Sequence, residues 1–213
     1  LSQLPDNLGV FAGMSGCQLS AGDALELKML DFVIEQEHKA RVLESIERVA
    51  WTDSLAENHV LLTELLMPLV TDSPLPQQLL AHRRSISALV NNAGRAEDFF
   101  SFFEAGLEQL NGEDWLAGAV ETYRNGSATT ARIFYEQLQR GGSMSLADTL
   151  RMELNIAGQC VRHSDFPEGV RALLVDKDRN PGWRYGSTAE VPGDYVLAHF
   201  ESPWPGDHPL ADL

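Results

Sequence analysis

Only one short stretch of this chain has the composition of a β-strand: Leu30-Asp31-Phe32-Val33-Ile34, apolar, aromatic and β-branched, and too short to make a helix. A strand pairs its backbone N–H and C=O groups with a neighbouring strand, and no second strand is evident in the sequence to take that place. The segment is therefore a lone strand or an extended link. The fold expected is mainly α, with at most one or two short strands near residues 30–34.

Elsewhere the apolar residues recur at helical spacing. Leu8, Phe11, Ala12 and Met14 line one side of a short helix that stops at Gly16, and Ser20 caps a second over Ala21 to Leu27, with Asp23 at its third position. From Gln36 to about Ala50, Val42, Leu43, Ile46 and Val49 form one stripe while Glu35, Glu37, Glu44 and Glu47 fall mainly between them. Asp53 is placed to cap the next helix, which reads through Leu61 and Leu65 and ends near Val70, before the loop Thr71-Asp72-Ser73-Pro74-Leu75-Pro76. Helical spacing resumes over Gln78 to Asn91, Ala96 to Leu110 and Glu113 to Tyr123, with Gly94 and Gly112 as punctuation.

The last third is the most regular. Ser127 caps a helix over Ala131 to Gln139 that ends at Gly141-Gly142, and Ser145 with Asp148 starts one that includes Leu150, Leu154, Ile156 and Val161. Ser164 or Asp165 caps another, in which Pro167 sits in the first turn and Val170, Leu173 and Leu174 point inward. After Lys177 the chain is polar, rich in Pro and Gly, and expected to be extended.

Charge and cysteine content narrow the partners. With 16 Lys+Arg against 31 Asp+Glu the net charge is −15, so polyanionic partners are repelled at long range; neither nucleic acid nor a membrane surface is expected. No apolar run reaches the ~20 residues that cross a bilayer. Cys17 and Cys160 are the only cysteines, far apart and outside any C-x-x-C, so neither a disulfide framework nor a zinc cluster can be read, and the interior of a cell fits best. The opening Leu1-Ser2-Gln3-Leu4-Pro5 reads as the interior of a larger protein.

Signatures of chemistry are sparse. Gly13-Met14-Ser15-Gly16-Cys17 supplies part of a nucleophile elbow but has no strand before it, and Gly141-Gly142-Ser143-Met144-Ser145 fits no phosphate-binding loop. His38, His59, His82, His163, His199 and His208 form no close pair and read as surface or core-edge residues. The phenylalanines from Phe99 to Phe103 could line an acyl pocket, but their spacing is what a packed helix requires, and Glu35, Glu37, Glu44, Glu47 and Glu57 read as a solvated surface. One region stands out. Arg162, Arg171, Lys177, Arg179 and Arg184 gather cations in an acidic chain, with Trp183 and Tyr185 beside them, a pattern suited to a phosphorylated, adenine-bearing ligand. Asp165, Glu168, Asp176 and Asp178 partly cancel it, and a salt-bridged helix end is the plainer reading.

The stretch Ser145 to Glu153 (Ser-Leu-Ala-Asp-Thr-Leu-Arg-Met-Glu), followed by Asp165-Phe166-Pro167-Glu168-Gly169-Val170-Arg171-Ala172-Leu173-Leu174-Val175-Asp176-Lys177-Asp178 and Asn180-Pro181-Gly182-Trp183, resembles the C-terminal part of the 3-hydroxyisobutyryl-CoA hydrolases. These are thioesterases of the crotonase, or enoyl-CoA hydratase/isomerase, superfamily. Leu8-Gly9 through Met14-Ser15-Gly16-Cys17-Gln18-Leu19 and Gly22-Asp23-Ala24 is similar to an earlier part of the same family, with Ser15 where Thr is usual and Lys28 where Gly is frequent; Ala128 stands where Pro commonly follows Ser. The resemblance implies the C-terminal helical part of a crotonase-like α/β fold: residues 1–35 as the tail end of the core, 36–125 as a helical extension, and 126–213 as a helical lid and association region with an extended tail.

By function, the resemblance implies hydrolysis of a β-hydroxyacyl-CoA thioester in valine catabolism, in the bacterial cytoplasm or the mitochondrial matrix of a eukaryote. Backbone N–H groups would hold the thioester oxygen and a Glu/Asp pair would manage acid–base steps, all upstream of this chain. It assigns no catalytic residue and no metal ligand here, and no cofactor, coenzyme A being part of the substrate. Lys177, at the family's Asp-Lys position, is the one residue it points toward the CoA phosphates. The implied partners are acyl-CoA, the missing N-terminal half, and further copies of the chain. A hydratase or isomerase of the same superfamily, and a noncatalytic helical association module, are the alternatives.

Overall fold

A helix that is apolar on every side can be stable only when it is enclosed, and helix α1 (Leu8–Ser15) is one. Leu8, Val10, Phe11, Ala12 and Met14 are all buried, so the stripe expected from the sequence is in fact a whole circumference. The computed structural model describes residues 1–110 and 114–213; the expected helix start at Glu113 and punctuation at Gly112 lie outside the described residues. The chain forms two compact units, one made of residues 1–18 and 82–213, the other of residues 19–81.

In the first unit α1 packs against α5 (Arg83–Ala93), α7 (Asp114–Asn125) and α8 (Ala128–Gly141). The closest approach is at Gly13, where a Cβ would stand 1.9 Å from the Phe134 ring, so glycine is required for α1 to sit on α8. Helix α6 (Phe99–Gln109) is capped by Asp98, whose carboxylate accepts the N–H groups of Phe100 and Ser101. Its phenylalanines are packing residues: Phe103 is fully buried and stacks on Phe99, which meets Tyr135 at 4.4 Å.

The Ser127 cap starts α8 at Ala128, one turn earlier than expected, and Ser145 starts α9 (Leu146–Arg162) with its hydroxyl accepting the Asp148 N–H at 3.1 Å. Helix α10 (Asp165–Val170) has no side-chain cap, because both candidates are engaged elsewhere: Asp165 accepts the Ser127 and Ser164 hydroxyls and the Arg184 N–H. Beyond it the helix widens at Arg171–Val175, the Asp176 N–H reaching the Arg171 carbonyl at 2.8 Å. That widening turns Leu173 and Leu174 outward, so they are exposed where the spacing placed them inside. Nor is the tail simply extended. It folds into a short turn at Thr188–Glu190 and helix α11 (Gly193–Ala198), because Val191 and Val196 are buried with Ile133, Met152 and Ile156.

The second unit is held by one carboxylate. Ser20 and Asp23 form the reciprocal cap of α2 (Ala21–Glu26), and the Asp23 oxygens also accept the N–H groups of Gln78, Leu79 and Leu80, each at 3.0 Å. Those three residues were expected to open a helix; held at a carboxylate they turn instead, and α5 begins at Arg83. Residues 36–38 form a separate tight turn before α3 (Lys39–Glu47), and Ser54, not Asp53, caps α4 (Leu55–Leu66), because its hydroxyl accepts the Glu57 N–H where the chain leaves its extended conformation. Among the described residues there is no sheet: Ile34 and Val70 form a single antiparallel bridge, so residues 30–34 are an extended link.

Asp23 is fully buried, yet its carboxyl lies below the usual carboxylate value: burial opposes ionisation, and the N–H groups of Leu80, Gln78 and Leu79 with the Ser20 hydroxyl overcome it. A carboxylate with a depressed value stabilises the fold above its unfolded pKa and loses that contribution as pH falls through the folded one. Asp23→Ala is expected to cost about 3 kcal/mol at neutral pH. Amide exchange at Gln78 to Leu80 checks it: these protons should lose their protection in the variant while α8 keeps its own.

Candidate functional site

The cationic region Arg162 to Arg184 is organised around one guanidinium. Arg171 donates from Nε and Nη2 to both oxygens of Glu168 (2.9 and 2.8 Å) and from Nη1 to Asp176 and Asp178 (2.7 Å each), while Nη2 also reaches the Asn180 carbonyl at 3.2 Å. Glu168 in turn accepts the Gly182 N–H at 2.7 Å. Its carboxyl is pushed down to about 2, chiefly by the Arg171 hydrogen bonds and then by the Gly182 N–H. Arg171 is shifted further upward by the same carboxylates, Glu168 foremost. It is thus committed to the turn and has no charge to offer a phosphate.

The other aromatic and cationic members divide in the same way. Trp183 donates its indole N–H to the Asn125 carbonyl at 2.8 Å and lies on Gly169, where a Cβ would be 3.2 Å from the ring, so it fastens the turn to α10. Arg184 lies over the Tyr195 ring at 4.7 Å and the Tyr185 ring at 5.6 Å. Lys177 and Arg179 are different. Both are exposed, both have positive φ (56° and 55°), and among the described residues neither has an ion-pair partner. The turn that Arg171 closes therefore presents two exposed cations outside any ion pair among the described residues, Lys177 and Arg179.

The remaining sequence candidates are structural. Ser15 is buried and donates its hydroxyl to the Phe11 carbonyl at 2.7 Å, which removes it as a nucleophile, and Gly141 to Ser145 simply connects α8 to α9. The five carboxylates from Glu35 to Glu57 are all exposed. His59 is on the surface, His82 stacks on Trp115 at 5.7 Å, and His208 hydrogen-bonds the Arg151 carbonyl.

Two groupings escaped the sequence reading. His163 and His199, at the ends of α9 and α11, lie with ring centroids 4.0 Å apart, and Tyr195 meets both edge-on. His199 is fully buried, and burial pushes its imidazole below the usual value, keeping it neutral near pH 7. Glu104 accepts the Thr188 N–H (2.7 Å), the Thr188 hydroxyl (2.6 Å) and the Tyr123 hydroxyl (3.1 Å), where burial first and Glu104 next raise the Tyr123 phenol. Neither set shares a motif spacing, and only the packing of distant helices brings its members together.

The family model for enoyl-CoA hydratase/isomerase matches residues 1–200. The chain belongs to the enoyl-CoA hydratase/isomerase family. Among its relatives, the mitochondrial 3-hydroxyisobutyryl-CoA hydrolase of Xenopus tropicalis is 30% identical over 212 residues, which are 95% of this chain and 51% of that protein. The human enzyme of the same name is 27% identical over 202 residues, with 95% and 50% covered. The chain thus spans about half the length of the curated relatives it matches. Among solved structures, a carnitinyl-CoA dehydratase from Mycobacterium thermoresistibile superposes with a TM-score of 0.74 at 23% identity, over 96% of this chain and 54% of that one. An enoyl-CoA hydratase from Rhodobacter sphaeroides 2.4.1 gives 0.70 at 23%, over 95% and 53%. The mainly helical architecture is therefore that of the matching part of crotonase-fold proteins, as the family resemblance implied.

The Arg171 clamp makes a direct prediction. Arg171→Ala should free the turn from Asp176 to Gly182, and limited trypsinolysis should then cut after Lys177 and Arg179 several times faster than in the unaltered protein, with the helical circular dichroism unchanged.

Proposed function

We propose that the complete polypeptide is an acyl-CoA thioester hydrolase acting on 3-hydroxyisobutyryl-CoA, and that this chain is its C-terminal helical part. The observation that carries this reading is the similarity to 3-hydroxyisobutyryl-CoA hydrolases along 95% of the chain, joined to a turn built to hold Lys177 in the open. In the reaction, water adds to the thioester carbonyl, the C–S bond breaks, and the sulfur leaves as the CoA thiol with a proton. The groups that hold the carbonyl oxygen and manage the protons are supplied by polypeptide beyond these 213 residues. A thiol-reactive dye tests this: the complete polypeptide should release thiol from 3-hydroxyisobutyryl-CoA and the 213-residue chain none. Hydration of crotonyl-CoA without thiol release would assign the protein to the hydratase branch, and turnover by the chain alone would refute the location of the catalytic groups.

Lys177 is the residue here that contacts the CoA phosphates. It is exposed, and the turn's three carboxylates, Glu168, Asp176 and Asp178, are already occupied by Arg171. In the complete enzyme Lys177→Glu should raise KM for the acyl-CoA about tenfold and leave kcat nearly unchanged, since a phosphate far from the reacting carbonyl is held equally in ground and transition states. Equal KM values for the two proteins would remove Lys177 from the site.

One feature of the second unit favours association as well. Helices α3 and α4 contain no buried residue, although Leu43, Leu55 and Val60 are apolar; Leu55 is 88% exposed. Apolar helix faces of this kind are buried by association. The chain is expected to run above its 23.5 kDa monomer mass in size exclusion with light scattering, and Leu55→Glu with Val60→Glu should return it to a monomer.

A further inference from the structure

We infer that the cleft walled by α8, the end of α9, α10 and α11 binds a small uncharged molecule with an apolar body and one hydroxyl group, a phenol or a short alcohol. The cleft encloses about 420 Å3, within the range of small-ligand sites, and its walls are mainly apolar, from Ile133, Val170, Leu173 and Leu174. The rings of Tyr195 and His163 form one side, a surface on which a flat ring packs well.

Charge sets the ligand class. Among the described residues no Lys or Arg lines the cleft, and the one carboxylate there, Asp165, already accepts hydrogen bonds from the Ser127 and Ser164 hydroxyls and the Arg184 N–H. A phosphate or carboxylate would meet no counter-charge there, so this is not a place for coenzyme A, and the site is separate from the one proposed around Lys177. A cation would have to compete with three donors for Asp165 while losing its hydration.

Polarity at two points argues for a ligand. Thr129 lines the cleft, is 2% exposed, and among the described residues its hydroxyl has no hydrogen-bond partner; the buried Tyr195 hydroxyl, from another residue of the cleft wall, is unpartnered in the same way. A threonine inside a helix commonly returns its hydroxyl to the carbonyl four residues back, but Thr129 is the second residue of α8, and the carbonyl at that distance, Asn125, receives the Trp183 indole. Buried hydroxyls without partners are costly and rare, and a ligand hydroxyl at this point satisfies it. His199 supplies the complementary group. Its Nδ1 lies 2.9 Å from the Tyr195 carbonyl, which can only accept, so Nδ1 carries the hydrogen and Nε2 of the neutral ring is left as an acceptor in the cleft wall.

The probe is 4-propylphenol, titrated into the chain by calorimetry, with 4-propylbenzoate as the charged comparison. Saturable one-to-one binding of the phenol is expected, with the benzoate at least about tenfold weaker because its carboxylate finds no cation. Thr129→Val preserves shape and removes the unpaired hydroxyl, so it should raise the melting temperature of the free protein and weaken the phenol about fivefold. A purely structural threonine would move neither in that combination. Failure of the phenol to saturate, equal affinity for the benzoate, or unchanged phenol binding by Thr129→Val overturns the inference. None of these readings uses acyl-CoA turnover, so they stand or fall apart from the thioesterase assignment.

Discussion

Enclosure of α1 is the constraint on which the first unit depends. A helix without a polar face cannot lie on a surface, so α5, α7 and α8 must surround it, and α8 can come close enough only because position 13 has no side chain. Once α8 is fixed by that contact, its N-terminus is fixed too, and Ser127 there ties down Asp165 at the start of α10. The order in which constraints pass is therefore from an apolar helix, to its neighbour, to the polar junction at the neighbour's end. The second unit has no such helix and depends on polar geometry instead: Asp23 gathers the backbone N–H groups of a loop more than fifty residues away.

The region closest to function shows the same division between holding and presenting. Arg171, Glu168 and Trp183 hold a turn, while Lys177 and Arg179 are carried on it with positive φ and no partner of opposite charge among the described residues. A cluster of cations in sequence is thus two things in space, an ion-paired clamp and two cations outside any ion pair. The clamp sets three carboxylates against one guanidinium and so keeps two negative charges, which Lys177 and Arg179 offset through space while forming no ion pair among the described residues.

Helix positions were legible where a local hydrogen bond decides them. Ser20 with Asp23, Ser127, and Ser145 with Asp148 each cap the helix the sequence assigned to them, because a hydroxyl or carboxylate at that spacing satisfies a backbone N–H with no help from elsewhere. Boundaries failed where a distant group intervened: Asp23 turned residues 78–80 away from the helix, and Asp165 was taken by Ser127 and Arg184 instead of capping α10. The inward direction expected for Leu173 and Leu174 failed because a five-residue hydrogen-bond period at Arg171–Val175 rotates the face that a regular helix would bury.

Sequence alone determined the mainly helical class, since a single β-prone run has nothing to pair with, and the stretches Ser145 to Glu153 and Asp165 to Trp183 carried the family resemblance. Tertiary structure decided which charges are spent and which are available, and it brought His163, His199 and Thr129 to one cleft from helices far apart in the chain. The physical reason is range. Caps, periodicity and turn residues act within a few positions and are written in order along the chain, whereas burial and the pairing of charges depend on which surfaces meet.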